Sequence, residues 1–563
     1  MRLIEVLSVG LLFVSCSFAQ VSFPAIQTSA NRRFIEHTGR EKTLQGQLLA
    51  ARNAAQRFLN QGNPTPVSIG DWTFDIGANG PASNWPAMYT AGAAPDCVND
   101  YVAFTIQAQG TSSQANVVIL NNLYVNNSGG GLCSGTAPQV VAAYNVGTSA
   151  AGNYLGQPWP SNDGSEIVVL EKGLVGSGTP AKLHLITIGT GGGTVAAPIT
   201  PPTETVLSYT AGGGSCSSHL SGAPSLKDIV IWQQSSNLYT GDDNGRIYKI
   251  TSAFTTPAIA YCVTTGGNAI TDVIADENVT GQPVGTNYVN IVTQGKTLKS
   301  YSANSGATTF TSRWSTTVSS VSNCITDFIE EDGDFNFIYL TTNHESTGTN
   351  AQFQQYNYAG TLVGSVNLGP ASSQNLNMGT WDQNYQNGAN ATATYYYCAY
   401  PAGAGGLPNL SDVQVDASWH VNSTPTMTGD TNIQPFLAVN GSTCGSMIGG
   451  YFEDDSKTPN PTVDIVIGVG DGTTLDPTSV SRWRIQTAAA DLSPITSNTA
   501  TYQQQTGSYP GGMSGYVGDW SDSTLGSNTY NFYFGTLAPL LLGRAPCAAG
   551  DYCFVKLQVS GLN

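Results

Sequence analysis

The sequence predicts an all-β protein assembled from one repeated strand hairpin. Three observations carry that expectation. Charged residues make up only 10% of the chain, well below the usual quarter, so there is little material for solvated helix faces. Glycine (64) and tyrosine (26) are abundant beside Ser, Thr and Asn, the composition of short strands joined by tight turns. From Val67 onward a short apolar strand, a turn and a strand ending in an apolar-x-x-apolar step recur. Apolar residues at 40% are enough to fill a core, which excludes a disordered chain.

The clearest copy is Asn237–Ile250, where Gly241-Asp242-Asp243-Asn244-Gly245 supplies the hairpin turn. A second runs from Asn287 to Tyr301 and turns at Gln294-Gly295-Lys296; a third runs from Asn336 through Leu340 and returns at Phe353 to Tyr356. Further copies pair Asn116–Leu120 with Val140–Tyr144 and Ile167–Leu170 with Leu183–Ile188. Later ones pair Val463–Val469 with Trp483–Ile485 and Tyr530–Leu537 with Cys553–Val559, and Tyr395–Tyr400 with Val413–Trp419 is a poorer copy. The endings align as Val141…Tyr144, Leu183…Ile186, Ile247…Ile250, Leu298…Tyr301, Phe353…Tyr356 and Phe554…Leu557.

Eight hairpins over this span give a period of roughly 60 residues, room for four strands and long loops per repeat. A sandwich needs far fewer strands, and a β-helix a much shorter period. The expected architecture is a β-propeller of seven or eight blades, the hairpin count giving eight. Val67–Ile76, with Trp72 and Phe74, is the expected strand that completes the last blade and closes the ring.

The N-terminus differs from the rest. Arg2, the apolar run Val6 to Val14 and the small residues Ser17 and Ala19 read as a secretory signal over residues 1–19, cleaved before Gln20. A rival reading makes Cys16 the lipid-modified residue of a surface lipoprotein. No later stretch is apolar enough to cross a membrane as a helix. Residues 20–66 form an extension with one amphipathic helix, Glu41 to Asn60, read as a lid or leader or, alternatively, a basic docking arm. Residues 67–563 are the propeller domain.

The extension carries Arg32, Arg33, Arg40, Lys42, Arg52 and Arg57 against Glu36 and Glu41. With −17 overall, +4 here and a signal whose Arg2 and Glu5 cancel, the body carries −21. An acidic body repels phosphates, so nucleic acid is not an expected partner. Nine cysteines follow Cys16, and in a secreted chain without C-x-x-C pairs they read as disulfides first. Cys547 with Cys553 across a short turn, and Cys97 with Cys133 around the first strand pair, are the two pairings proposed from local context. Proximity suggests Cys216 with Cys262 and Cys398 with Cys444, leaving Cys324 odd.

Leu238–Ile250 resembles a blade of the quinoprotein and YVTN/WD40-like propellers, as does Leu298–Gly306 followed by Trp314. Ser161–Glu171 looks like the Ser-x-Asp-Gly turn that opens many such blades. The closing Gly512–Gly515, Asn531–Leu537 and Cys547–Leu557 are similar to the C-termini of large secreted bacterial propellers of uncharacterised type. The resemblance covers most of residues 97–563 and implies a fold, not a function.

No linear motif identifies a reaction. His37, His184, His219, His344 and His420 lack paired metal-ligand spacing, and His184, alternating with Leu183 and Leu185, reads as a surface strand residue. Gly512-Met513-Ser514-Gly515 lacks the nucleophile-elbow spacing and reads as a turn. Gly468-Val469-Gly470-Asp471-Gly472 is not followed by the helix that a dinucleotide loop requires. Asp332-Gly333-Asp334-Phe335-Asn336, Glu453-Asp454-Asp455, and Asp519 with Asp522 offer oxygens to Ca²⁺, but read as turns. No metal, cofactor or catalytic residue is assigned. The expectation is a secreted, non-catalytic binding or scaffold module for an extracellular protein or glycan. The alternatives are a carbohydrate-active propeller enzyme or a quinoprotein-type dehydrogenase.

Overall fold

The computed structural model describes residues 67–82, 86–92, 95–125, 131–135, 137–148, 154–173, 180–189, 191–209, 231–234, 237–242, 244–277, 279, 281–294, 296–319, 326–332, 337–342, 350–370, 380–381, 393–399, 409–415, 442–448, 462–471, 479–486, 513–519, 529–536, 539 and 546–560. The signal and the expected helix at Glu41 to Asn60 lie outside them.

Thirty strands form eight antiparallel sheets among these residues. After β1 (Val67–Gly77), sheet 1 takes β2 (Ala87–Tyr89), β3 (Tyr101–Thr105), β4 (Val117–Asn121) and β5 (Gln139–Tyr144). Sheet 2 takes β6 (Trp159–Pro160), β7 (Glu166–Glu171), β8 (Lys182–Thr187) and β9 (Thr203–Ser208). Sheet 3 holds β10 (Ile231–Gln234), β11 (Asn237–Gly241), β12 (Arg246–Thr251) and β13 (Ala258–Thr264). Sheet 4 holds β14 (Ile270–Glu277), β15 (Asn287–Thr293), β16 (Thr297–Ser302) and β17 (Thr311–Thr317). Sheet 5 holds β18 (Thr326–Asp332), β19 (Phe337–Thr342), β20 (Asn350–Asn357) and β21 (Leu362–Pro370). Sheet 6 is β22 (Thr380–Trp381), β23 (Ala393–Ala399) and β24 (Asn409–Val415); sheet 7 is β25 (Ser442–Ile448), β26 (Thr462–Asp471) and β27 (Ser479–Gln486). Sheet 8 is β28 (Met513–Asp519), β29 (Thr529–Thr536) and β30 (Tyr552–Ser560), with β1 as its fourth strand. The pairing runs from Val67↔Ser560 through Trp72↔Lys556 to Gly77↔Tyr552, so the first strand closes the last sheet.

The inner strands of sheets 1 to 5 bury side chains on both faces, because successive side chains point to opposite sides of a strand. In sheet 2, Ile167, Val169 and Ile186 pack against Tyr101, Ala103, Val117, Ile119, Ala142 and Tyr144 of sheet 1. Their neighbours Val168, Leu170, Leu183 and Leu185 pack against Leu238, Tyr248 and Ile250 of sheet 3. A third cluster joins sheets 3, 4 and 5 through Tyr239, Ile247, Val273, Ile291, Ile329 and Leu340. Phe353 stacks on Tyr395 at 4.5 Å between sheets 5 and 6. Strand β23 touches β25, and β25 touches β28, carrying the succession through sheet 7. Phe104 stacks on Phe554 at 4.1 Å between sheets 1 and 8. The succession returns to its start: the fold is a β-propeller.

The structure corrects the sequence reading at three places. Asn116–Leu120 with Val140–Tyr144 corresponds to β4 and β5, the outer pair of its sheet, whereas the other seven hairpins correspond to the second and third strands. The equivalent pair in sheet 1 is β3 with β4. Apolar alternation is the same for every strand pair, so the repeat was out of phase there by one strand. Ser514 lies in β28, not in a turn. His184 is 1% exposed, because a strand between two neighbouring sheets has no solvent face.

One loop leaves its own sheet. The segment 188–202, between β8 and β9, lies along the outer edge of β5, with parallel bridges Ala142↔Gly192 and Tyr144↔Ile199. Gly193 has φ +78°, and a Cβ there would come within 2.8 Å of the Ala143 carbonyl oxygen. Only glycine permits this close approach.

Candidate functional site

The buried ionisable groups described are engaged either within their own sheet or by the neighbouring one. Asp242 closes the β11–β12 turn: its carboxylate accepts from the Asn244 and Arg246 amides and from the Tyr248 hydroxyl at 2.8–2.9 Å. Burial, then the Asp242 charge, holds the Tyr248 phenol above its usual range, so it remains a donor. Asp272 on β14 accepts the Ile329 amide of β18 at 2.6 Å, and Asp276 accepts the Tyr358 hydroxyl at 3.1 Å. Glu330 accepts the Tyr395 hydroxyl at 2.9 Å. Arg313 lies over the Tyr288 ring, 3.3 Å from its centroid, and donates to Ser300 Oγ and the Tyr358 carbonyl. A buried carboxylate is costly unless hydrogen-bond donors reach it, and these contacts supply such donors.

His184 sits between two carboxylates. Its Nδ1 is 2.5 Å from Glu204 Oε1 and its Nε2 is 3.1 Å from Glu171 Oε2. Lys182 Nζ stands 3.8 Å from the same Glu171 oxygen. Burial disfavours the charged ring, but the hydrogen bonds and charges of Glu171 and Glu204 outweigh it and raise the pKa above 6.5. Both nitrogens are occupied, so neither is open to a substrate.

Solvent-facing chemistry collects at one end of the sheets. In sheets 1, 4 and 5 the loops after the first and third strands emerge there. Cys97 and Cys133 form a disulfide (Cα–Cα 5.7 Å) joining the β2–β3 loop to the β4–β5 loop. Val98, 70% exposed, and exposed Leu132 flank it. In the β14–β15 loop, Val279 donates to Thr286, Gln282 to Val279 and Thr286 to Pro283, a turn that holds Val284 98% exposed. Exposed Leu362 follows the β20–β21 turn at the same end. Of the other exposed large apolar residues described, Ile199 and Val206 lie on the outer rim and Tyr154 at the opposite end. No residue of this group was singled out from the sequence, although Gly281-Gln282-Pro283-Val284-Gly285 carries the turn signal that places a valine at a tip.

Cys547 and Cys553 form the second described disulfide (Cα–Cα 6.2 Å). Cys262 is also disulfide-bonded. Gly468 to Asp471 continue strand β26. Asp332 ends β18 and Asp519 ends β28. Gly333 to Asn336, Glu453 to Asp455, Asp522, His37, His219, His344 and His420 lie outside the described residues. Among the described residues no three His, Cys, Asp or Glu side chains converge as metal ligands, and no helix is long and apolar enough to cross a membrane.

No family model and no curated protein matches the chain. Among solved structures it is similar to Saccharomyces cerevisiae Sqt1, at 7% identity and TM-score 0.45, over 87% of this chain and 99% of that one. It is also similar to BamB from Moraxella catarrhalis, at 10% identity and TM-score 0.38, over 87% and 98%. Likeness at this level carries no functional argument.

Proposed function

We propose that the chain is an extracellular binding module, a complete eight-bladed propeller that engages a protein partner through the end carrying Val98, Leu132, Val284 and Leu362. One observation carries this reading: these four side chains stand in solvent, three on loops and Leu362 at the start of β21, where a disulfide and internal hydrogen bonds hold the backbone in place. Apolar groups presented from a rigid platform lose little conformational freedom on binding, which favours association. Their chemistry suits a protein surface better than a sugar, whose hydroxyls require polar partners. The acidic charge of −17 adds a preference for a basic partner patch.

The test is capture of surface proteins from the producing cells on immobilised mature chain, followed by measurement of affinity for the retained protein. Val98→Ser with Val284→Ser should weaken binding about tenfold or more, as expected for centrally placed contacts. Unchanged affinity would overturn the assignment of this end. Robust turnover of polysaccharides, or of alcohols with added quinone and Ca²⁺, would overturn the non-catalytic reading.

A further inference from the structure

The loop along the β5 edge leads back into sheet 2 beside Glu204, the carboxylate on His184 Nδ1. Backbone bonds dock the 188–202 segment: Ala143 donates to Gly192, Gly192 to Val141, Ile199 to Ala143 and Asn145 to Ile199, at 3.0–3.1 Å, while Ala115 donates to Val195. The segment thus occupies donors and acceptors that an edge strand otherwise leaves open. Its C-terminal end re-enters sheet 2 at Thr203, and the next residue is Glu204, which holds His184 Nδ1.

We propose that Glu171, His184 and Glu204 are a proton-dependent latch that keeps the 188–202 segment closed over the β5 edge and releases it as pH rises.

The geometry requires the proton. Each ring nitrogen faces a carboxylate oxygen, and a carboxylate can only accept, so both contacts need an N–H. A neutral imidazole has one N–H and would turn a lone pair towards the other carboxylate. Glu171 is fully buried, so losing its donor is costly there, whereas Glu204, 23% exposed, can move into water. The strand start beside Thr203 is therefore the part that yields. Among the described residues, the other ionisable groups that face the latch are these. Lys182 neighbours Glu171 from β8 itself. The facing surface of sheet 1 contributes Tyr101 and Tyr144, both held above the usual phenol range by burial and so neutral. The sign follows: a histidine raised in the folded state stabilises fully below its unfolded pKa of about 6.5, and that contribution is lost as pH climbs through the folded value.

Hydrogen exchange read by mass spectrometry on the full mature chain tests this, corrected for the base-catalysed intrinsic rate. Peptides covering 139–145 and 188–202 should lose protection as pH rises from below about 6.5 through the raised folded value, about tenfold for each unit by which the folded pKa exceeds the unfolded one. Peptides from Asn287–Ser302 in sheet 4 should hold theirs. His184→Gln should show the exposed level at every pH. Glu204→Gln, a milder change, should move the transition to lower pH. Flat protection in the wild type, an equal loss in sheet 4, or a pH step retained by His184→Gln would each overturn the latch.

Discussion

The Lys556 ammonium on β30 donates to the carbonyl oxygen of Val125 at 3.2 Å, joining two residues 431 positions apart in the chain. Lys556 is fully buried and pairs across the ladder with Trp72 of β1 and Tyr533 of β29, so this bond lies at the seam between sheets 8 and 1. A hydrogen bond from a charged donor contributes more than a neutral one, and its loss leaves a buried carbonyl without that donor. Lys556→Met should lower unfolding free energy by about 2–3 kcal/mol. Urea denaturation checks it, and an unchanged midpoint would mean that ring packing alone holds the seam.

Trp72 contributes that packing. It is buried, its indole N–H points to the Leu123 carbonyl at 3.4 Å, and its ring tilts against Tyr533 at 5.9 Å. Trp72→Ala should cost about 3–5 kcal/mol and lower the thermal midpoint. A loss smaller than that of Lys556→Met would place the seam's stability in the polar bond.

The Asp242 turn gives a paired comparison. Asp242→Ala removes the acceptor of two amides and one hydroxyl at once and should cost about 3 kcal/mol. Tyr248→Phe removes only the hydroxyl and should cost about 1 kcal/mol. Equal costs would show that the turn amides find other acceptors in the variant.

The disulfides should differ through loop length. Cys97 and Cys133 are separated by 36 positions and Cys547 and Cys553 by 6. On the chain-entropy account, removing the first pair by double serine substitution should cost about 3–4 kcal/mol and the second about 2–3 kcal/mol. Only the first should also weaken partner capture, because it holds Val98 and Leu132 in place.

The strand pairs were legible because inner strands such as β7 bury both faces, which makes short apolar runs such as Ile167–Leu170 conspicuous. The closing strand was legible for the same reason, through Trp72 and Phe74. The interior polar contacts were not. Asp272 finds the Ile329 amide, and Glu330 the Tyr395 hydroxyl, 57 and 65 residues away, and nothing local in the chain announces such partners. His184 was misplaced because strand alternation separates two faces without telling whether either meets water. Val284 stood in a recognisable turn, but an exposed valine has no sequence signature of its own.

The seam between β1 and β30 has a mechanical consequence. Val67 lies opposite Ser560, so the points where the two strands leave the ring are side by side. Tension between the chain before Val67 and the chain after Ser560 acts across the ladder, and it breaks the rungs one after another. A strand pair loaded along its length would share the force among all its rungs at once. The ring therefore yields first at this seam, by unzipping, and the remaining sheets carry no load until its rungs have parted. Held at one end and drawn at the other, the molecule behaves as a clasp that opens at a defined place.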